Sequence, residues 1–220
     1  MSDQPPLRID VVSDVVCPWC FIGKRRLEKA LQLAPDVPVE VRWHPYFLND
    51  WIPREGISRT DYLTTKFGSP ERYEEIAQRV SAAAAEEGLT YAIGKISRQP
   101  NTTDAHRLIR WAEGIGKAAE MKQRLMELYF TEGADLTNRA VLVQAAADVG
   151  LDPEDVREAL ASDTDVEDVT KQAEAAKAAG IEGVPCFIFG GRYAVSGAQA
   201  PEYLAQMIER VAQEADATAG

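Results

Sequence analysis

Near the start of the chain, apolar and polar residues follow two different periodicities. Residues 7–12 are apolar and β-branched, a composition typical of a buried strand. Residues 21–31 place Leu27 and Leu31 on one helical face, and residues 37–47 alternate in the manner of a second strand. A strand, a helix and a strand in this order predict a right-handed parallel βαβ unit.

Between Asn49 and about Gly180 the pattern is helical, with almost no strand signal. Capping residues and prolines mark the predicted helix starts, and glycines mark the ends. The predicted helices run from Ser69 to a stop at Gly88, from Thr102 or Thr103 through Trp111, from Ala118 to Glu132, from Asn138 to Val149, from Asp152 onward, and from Asp165 to Ala179. We interpret residues 51–180 as an all-helical insertion that is joined to its neighbours by short turns.

Strand character returns at residues 184–189 and 192–195. Gly190 and Gly191 separate the two runs and predict a tight turn between antiparallel strands. A last helix is predicted from about Pro201 to Gln213, and residues 214–220 are expected to form a frayed tail. Residues 1–50 and 181–220 would then be the two halves of one α/β domain, in the order βαβ…ββα.

Composition narrows the possible classes of function. Of the 220 residues, 45% are hydrophobic and 27% are charged, and both fractions are ordinary for a globular domain. The formal net charge of −11 argues against a nucleic acid or an anionic membrane as partner, because both favour basic surfaces. The sequence begins without the basic and apolar pattern of a leader, and no run is long enough to span a membrane. We therefore expect a cytoplasmic protein with no membrane or nucleic-acid partner.

The segment Cys17-Pro18-Trp19-Cys20 lies where the first predicted strand gives way to the first helix. Both cysteines fall in the first helical turn, where residues three apart are close enough to form a disulfide. The free N–H groups and the positive dipole end of a helix start favour a thiolate, which is the species that attacks disulfides. We expect the outer cysteine, Cys17, to be the nucleophile and Cys20 to be the resolving thiol.

The helix dipole alone is too weak to make Cys17 strongly acidic. Lowering a thiol pKa from about 8.5 to about 5 takes roughly 5 kcal/mol, whereas a dipole supplies at most about 2 kcal/mol. Pro18 has no N–H to donate. The remainder must come from the backbone amides of Trp19 and Cys20 and from the Cys20 thiol. Lys24 is a candidate source of further positive potential.

A zinc site and a chance pairing are the alternatives to redox chemistry for these two cysteines. A CxxC pair also occurs as half of a zinc site, which needs further ligands at a recognisable spacing. Only Cys186, His44 and His106 remain as candidates, and none of them has such a spacing. A chance pair of buried cysteines would not account for the strand–CxxC–helix context. Redox chemistry is the favoured interpretation, and no metal site is predicted.

Three ordered groups of residues carry a family resemblance: residues 17–27 with the C-P-W-C pair, residues 101–108, and residues 183–185 with 196–199. Together they resemble the FrnE-like branch of the DsbA-like thioredoxin-fold family, which is related to 2-hydroxychromene-2-carboxylate isomerases and kappa-class glutathione transferases. The resemblance spans nearly the whole chain. It implies a thioredoxin fold with a large all-helical insertion, and a thiol–disulfide oxidoreductase with Cys17 and Cys20 as the redox pair.

The resemblance also implies the other members of the site. It implies a cis peptide bond before Pro185 that faces the cysteine pair, so that Pro185 joins Cys17 and Cys20 as a catalytic residue. The expected substrate-binding residues are Pro18, Trp19, Val184, Asn101, Thr102 and His106. Asn101 and Thr102 are also candidates to cap the next helix. For His106 and His44 a hydrogen-bonded structural role is favoured over the alternative, a proton shuttle.

Cys186 departs from the resemblance, because relatives usually carry an aromatic or aliphatic residue after the cis-proline. Between Pro185 and Phe187 in a predicted strand, it is better interpreted as a small buried apolar side chain than as a third redox thiol. Some FrnE-like proteins have a second cysteine pair, which this sequence lacks. A mechanism that needs a second dithiol is therefore not expected.

The sequence supports hypotheses from three classes. The first is a cytoplasmic dithiol–disulfide oxidoreductase, a reductase or disulfide isomerase that acts on disulfide-containing proteins or small thiols. The second is a 2-hydroxychromene-2-carboxylate isomerase or a glutathione-linked transferase; such relatives usually have a single nucleophile at the Cys17 position, so the presence of Cys20 favours the first class. The third is a binding module with unperturbed thiols. No tightly bound cofactor is expected, and glutathione is a candidate co-substrate.

Overall fold

The computed structural model of the protein describes residues 5–219. Its strands are β1 (Leu7–Ser13), β2 (Val39–Pro45), β3 (Ile57–Ser58), β4 (Arg98–Gln99), β5 (Cys186–Phe189) and β6 (Tyr193–Ser196). Its α-helices are α1 (Pro18–Leu33), α2 (Arg59–Phe67), α3 (Pro70–Glu86), α4 (Thr103–Glu113), α5 (Ala118–Met126), α6 (Arg139–Asp148), α7 (Pro153–Ala161), α8 (Val166–Ala178) and α9 (Pro201–Ala219). None of the helices within residues 5–219 is long and apolar enough to cross a membrane.

The central sheet has four strands in the order β2-β1-β5-β6. Strand β1 runs parallel to β2, with Val11 opposite Trp43, and antiparallel to β5, with Val11 opposite Phe187. Strands β5 and β6 form an antiparallel hairpin whose turn contains Gly190 and Gly191, both at positive φ. The predicted βαβ and ββα halves are therefore confirmed, and the segment between them is mostly helical.

The structure adds features to that segment which the sequence pattern did not predict. Strands β3 and β4 pair antiparallel, with Ile57 opposite Gln99; two residues in each strand are too few to show an alternation. Helix α2, which is capped by Ser58, was also not predicted. The helix predicted from Ala118 to Glu132 is α5 followed by a π-helix at Glu127–Glu132, and Gly133, the predicted stop, follows it in the left-handed conformation.

The last helix is longer than predicted. The buried apolar residues of α9 end at Val211, but the helix continues to Ala219 where a frayed tail was expected. Glu214 accepts a hydrogen bond from the Tyr193 hydroxyl at 2.7 Å and pairs with Arg210 at 2.9 Å. These polar contacts fix α9 beyond its last buried apolar residue. Residue 220 of the predicted tail lies outside the described residues.

Two hydrophobic cores meet near the start of α1. One lies between the central sheet and helices α1 and α9, and it includes Leu27 and Phe187. The other lies inside the helical segment, and it extends through Phe21 to Cys17 and Cys20. The cysteine pair is therefore held at the junction of the sheet domain and the helical insertion.

Candidate active site at the start of helix α1

Helix α1 begins at the cysteine pair because Pro18 is suited to a first helical position. Cys17 is the N-terminal cap residue, with φ −91° and ψ 114°, and Pro18 follows as the first residue of the helix. The Cys20 amide donates to the Cys17 carbonyl at 3.0 Å and closes the first turn. No side chain caps this helix, and the backbone amides of Trp19 and Cys20 both act on the Cys17 sulfur.

The Cys17 thiol has a lowered pKa. The largest cause is a hydrogen bond with the Cys20 thiol, and the backbone amides of Cys20 and Trp19 add to it. Burial and the nearby charge of Asp14 act in the opposite direction. The donors are those named from the sequence, and their hydrogen bonds outweigh the cost of desolvating the thiolate.

Cys20 shows the opposite behaviour. Burial raises the pKa of the Cys20 thiol well above its usual value, and the hydrogen bond and negative charge of Cys17 raise it further. Both residues are free thiols, with only 4% of Cys17 and 1% of Cys20 exposed. One thiol is thus ionised in preference to the other, which is the asymmetry that a nucleophile and a resolving thiol require.

Asp14 and His106 form a buried pair near the two cysteines. Asp14 Oδ2 accepts a hydrogen bond from the Leu48 amide at 2.9 Å, and Asp14 Oδ1 lies 3.3 Å from His106 Nε2. Burial lowers the pKa of His106, and the hydrogen bond to Asp14 partly opposes that shift. His106 is therefore a hydrogen-bonded interior side chain, and a part for it in substrate binding stays a prediction.

A buried lysine of the helical insertion also acts on the cysteine pair. Lys122 of α5 is 1% exposed, and its Nζ lies 5.3 Å from the centre of the Trp43 ring. Burial lowers the pKa of Lys122 to about 8, while the negative charge of Cys20 opposes the shift. In return, the positive charge of Lys122 lowers the pKa of Cys20. Lys24, the cation suggested from the sequence, is instead paired with Glu28.

The loop before β5 lies against the Cys17 side chain. The Val184–Pro185 peptide bond is cis, and the Val184 carbonyl accepts a hydrogen bond from the Cys17 thiol at 3.6 Å. A Cβ atom at Gly23 of α1 would lie 2.8 Å from Pro185 Cγ, closer than side chains approach. The glycine in the C-P-W-C-F-I-G segment therefore allows this loop to dock on α1.

A cleft of about 280 Å³ opens beside Cys17, between the start of α1, the Val184 loop and helices α2 and α3. Its walls are largely aromatic and include Tyr62, Phe67, Tyr73, Tyr129 and Phe130. Two basic side chains, Arg59 and Lys66, also line it. The cleft gives the nucleophilic thiol an apolar opening in which a small group can bind.

The predicted substrate-binding residues divide into two groups. Pro18, Trp19 and Val184 line the cleft together with Cys17, and 40% of Trp19 is exposed at its edge. Asn101, Thr102 and His106 do not belong to the cleft wall.

Asn101 and Thr102 instead lie at the start of α4. Asn101 accepts a hydrogen bond from the Thr103 amide at 3.0 Å and donates to the Ile52 carbonyl at 2.8 Å. The Thr102 carbonyl accepts from the His106 amide at 3.0 Å, in the first turn of that helix. These bonds fix the helix that carries His106, and a direct role in substrate binding stays a prediction.

Cys186 and His44 lie on strands of the central sheet and are distant in sequence from Cys17 and Cys20. Cys186 is 2% exposed in β5, opposite Ser196 of β6, and burial raises the pKa of its thiol. His44 Nε2 lies 2.8 Å from Asp10 Oδ1 on the neighbouring strand. Among residues 5–219, no cluster of three or more His, Cys, Asp and Glu side chains is placed to hold a metal ion.

Four residues of this region were not predicted from the sequence: Asp14, Lys122, Arg59 and Lys66. A usable signal existed for Asp14, which follows the first predicted strand by two residues and precedes Cys17 by three, because sites in α/β sheets gather at strand ends. The three basic residues come from helices of the insertion, whose sequences indicate only amphipathic surfaces. Their place beside the cysteines is decided by tertiary packing.

Comparison with known proteins supports the relation indicated by the sequence. The DSBA-like thioredoxin domain model matches residues 8–209 of the chain. The structure is similar to that of a probable DsbA oxidoreductase from Streptomyces coelicolor, with a TM-score of 0.87 and 31% sequence identity. That match covers 94% of this chain and 91% of the Streptomyces chain.

Two more distant solved structures share the fold. A 2-hydroxychromene-2-carboxylate isomerase is 16% identical with a TM-score of 0.70, and the match covers 95% of this chain and 98% of the isomerase. The cytosolic disulfide reductase DsbM from Pseudomonas aeruginosa, solved with GSH, is 19% identical with a TM-score of 0.63. That match covers 97% of this chain and all, 100%, of DsbM. At these identities the likeness concerns the fold alone.

Proposed function

The chain belongs to the DsbA-like thioredoxin-domain family, and on that premise we propose that it is a thiol–disulfide oxidoreductase whose redox pair is Cys17 and Cys20. The observation that carries the proposal is the opposite shift of the two thiol pKa values at the start of α1, with Cys17 lowered and Cys20 raised. Cys17, whose pKa is lowered, lines the cleft. Cys20, whose pKa is raised, is buried and does not belong to the cleft wall.

The proposed reaction has two exchange steps. The Cys17 thiolate attacks one sulfur of a substrate disulfide; a Cys17–sulfur bond forms, and the other substrate sulfur leaves as a thiolate that is protonated by water. Cys20 then loses its proton and attacks the Cys17 sulfur, which forms the Cys17–Cys20 disulfide and releases the second substrate thiol. The substrate gains two electrons and the cysteine pair loses two. A thiol donor, for which glutathione is a candidate, returns the pair to the dithiol.

Neighbouring residues have separate roles in this scheme. Lys122 stabilises the Cys20 thiolate that forms in the second step, because its charge lowers the pKa of Cys20. Pro18, Trp19 and Val184 bound the cleft in which the mixed disulfide forms. Pro185 holds the Val184 carbonyl beside the Cys17 sulfur, and we propose a catalytic role for it on that ground.

We further propose that the protein works as a reductase or disulfide isomerase in the cytoplasm. A stabilised Cys17 thiolate favours the dithiol form of the pair. Each 1.4 kcal/mol by which the dithiol is stabilised relative to the disulfide raises the two-electron reduction potential of the pair by about 30 mV. Cytosolic glutathione lies near −220 to −320 mV, so a more oxidising pair rests there as the dithiol.

The isomerase alternative has the same fold in its favour. A single nucleophile suffices for that chemistry, however, and the thiol of Cys20 would then have no function in it. A binding module would be expected to have thiols that titrate near their free values, whereas the pKa of Cys17 is lowered. Disulfide exchange accounts for both cysteines.

The test is trapping of mixed disulfides. Cys20→Ala should accumulate partners bound through Cys17, because the resolving step is removed, and Cys17→Ala should accumulate none. Mass spectrometry of the captured adducts identifies the cysteine, and Cys186→Ala is the matched control that should behave like the unaltered protein. Partners found on Cys20 in the Cys17→Ala variant would contradict the assignment.

A further inference from the structure

We propose that Arg59 and Lys66 form a carboxylate-binding subsite beside Cys17, so that the preferred substrates are small disulfides bearing a carboxylate next to an aromatic or apolar group. This inference rests on the disulfide exchange proposed above and adds the class of substrate. It is carried by two cations that line the cleft and that have only uncharged partners.

Arg59 is the first residue of α2, and uncharged groups hold its guanidinium in place. Its Nη1 donates to Gln99 Oε1 at 2.6 Å and lies 3.3 Å from the Tyr129 hydroxyl. Its Cζ lies 5.1 Å from the centre of the Tyr62 ring and 5.2 Å from that of Tyr73. Since an amide, a phenol and two ring faces carry no net charge, the guanidinium is oriented while its positive charge stays uncompensated.

Lys66 follows Arg59 by seven residues, which is two helical turns and therefore the same side of α2. Its Nζ donates to Asn49 Oδ1 at 2.5 Å and lies 5.6 Å from the centre of the Tyr62 ring. Partial desolvation lowers the pKa of Lys66, and the negative charges of Cys17 and of Asp14, which is beyond ion-pair distance, oppose that shift. The Lys66 ammonium is thus near enough to Cys17 for the two charges to interact.

The lack of an acidic partner distinguishes these cations from others in the chain. Arg110, for example, pairs with Asp165 at 3.2 Å and with Asp168 at 3.1 Å. Within residues 5–219, neither Arg59 nor Lys66 has a carboxylate at ion-pair distance, although the chain has 35 acidic residues. Two oriented cations without an ion-pair partner in a partly desolvated cleft attract an anion, and the two oxygens of a carboxylate match the donors of a planar guanidinium.

The aromatic walls of the cleft determine which chemical group can be attached to the carboxylate of the substrate. Tyr62 lies under both cations, and the rings of Phe67 and Tyr73 are 4.9 Å apart on the same side of the cleft. The volume of about 280 Å³ is suited to one half of a small disulfide. A ring or short apolar chain therefore fits the aromatic wall while its carboxylate meets the cations and its sulfur meets Cys17.

The subsite acts before and during the first exchange step. The carboxylate stays ionised and unreacted; the Cys17–sulfur bond forms, the substrate S–S bond breaks, and the departing thiolate carries the electron pair away. The binding energy of the cations therefore increases the rate of attack on acidic disulfides without altering the electron balance.

The experiment compares two probes that differ only in charge. One is 5,5′-dithiobis(2-nitrobenzoate), with a carboxylate on each ring, and the other is the diamide of the same compound. The reduced full-length protein reacts with each probe in a single turnover, and release of the coloured thiol is timed. Dividing each rate by the rate of 2-mercaptoethanol with the same probe removes the difference between the leaving groups.

The normalised rate with the dicarboxylate probe should exceed that with the diamide by about tenfold at low salt. This ratio should fall by about threefold in Arg59→Gln, and by about threefold in Lys66→Gln. High salt should lower it as well. Arg59→Lys should keep more of the preference than Arg59→Gln. The matched control is Arg139→Gln, since Arg139 is likewise the first residue of a helix but is exposed and lies outside the cleft.

A ratio near one in the unaltered protein would overturn the subsite while leaving disulfide exchange intact. A preference that persisted in both glutamine variants would also overturn it, because the cations would not be its source. Failure to react with either probe faster than Cys17→Ala would contradict the proposed function itself.

Discussion

Cys17 and Cys186 are the same residue type in nearly equal burial, 4% and 2% exposed, yet their thiol pKa values shift in opposite directions. Cys17 caps a helix whose first amides and neighbouring thiol donate to its sulfur. Cys186 lies within a hairpin whose backbone groups are used in strand pairing. Burial raises the pKa of both thiols; the hydrogen bond of Cys186 with Ser196 does not offset it, whereas at Cys17 the Cys20 thiol and the amides at the helix start outweigh it.

The largest expected difference is in alkylation at mildly acidic pH. Below the usual thiol pKa, Cys17 should still be partly ionised because its pKa is lowered, whereas Cys186 and Cys20 should remain protonated. Iodoacetamide at pH 6 followed by peptide mapping should label Cys17 alone in the reduced protein. Equal labelling of Cys186 would remove the distinction between the two regions.

Removal of Cys20 should bring Cys17 closer to an ordinary thiol. The Cys20 hydrogen bond is the largest cause of the lowered pKa, so Cys20→Ala should raise the pKa of Cys17. The alkylation rate of Cys17 should therefore fall at pH 6 and approach that of the unaltered protein at high pH, where both are ionised. An unchanged pH profile would mean that the backbone amides alone acidify this thiol, and Cys186→Ala serves as the control.

A smaller effect is expected from Gly23→Ala. The new Cβ would overlap Pro185 Cγ, so the loop that carries Val184 should move away from Cys17 and slow disulfide exchange. Crowding of this kind costs about 1–3 kcal/mol, which denaturant unfolding can measure. Gly94→Ala is the matched control because no heavy atom lies within 4 Å of its Cβ position. Equal stability and rate in the two variants would contradict the close docking of the loop.

The smallest expected effect is that of Lys122→Met. Loss of this cation should raise the pKa of Cys20 further and slow the resolving step about fivefold at pH 7, so that mixed disulfides persist longer. The difference from the unaltered protein should shrink above pH 8, where Lys122 loses its proton. Stopped-flow measurement of the second exchange step checks this, with Lys117→Met as the exposed control. An equal difference at pH 9 would argue against an electrostatic role.

The fold was predictable because its signals are local and strong. Alternating strands, capped helices and the Gly190-Gly191 turn predicted the sheet halves and most helices of the insertion. The pairing of Ile57 with Gln99 was not predictable, because two residues have no period. The extension of α9 depends on the contact of Glu214 with Tyr193, which joins separate elements.

The candidate site also combines features that are local in sequence with features that depend on tertiary packing. Cys17, Trp19 and Cys20 lie in one turn, so their sequence predicted which groups could donate to the sulfur. Lys122, which lies far away in the chain, is brought near Cys20 by packing of the insertion, and Lys24, close in sequence, is paired with Glu28. The hydrogen-bond donors to Cys17 can therefore be predicted from the C-P-W-C segment itself. The charges around the two thiols cannot, because they depend on how the helices of the insertion pack.

The most direct test of the account is a redox equilibrium with glutathione, followed by acid quenching, alkylation and peptide mapping of the three cysteines. We predict one two-electron transition, in which the disulfide joins Cys17 to Cys20 and Cys186 stays a thiol throughout. We also predict that Cys20→Ala forms only a glutathione adduct on Cys17. A stable disulfide to Cys186, or no disulfide between Cys17 and Cys20 under oxidising conditions, would contradict the account.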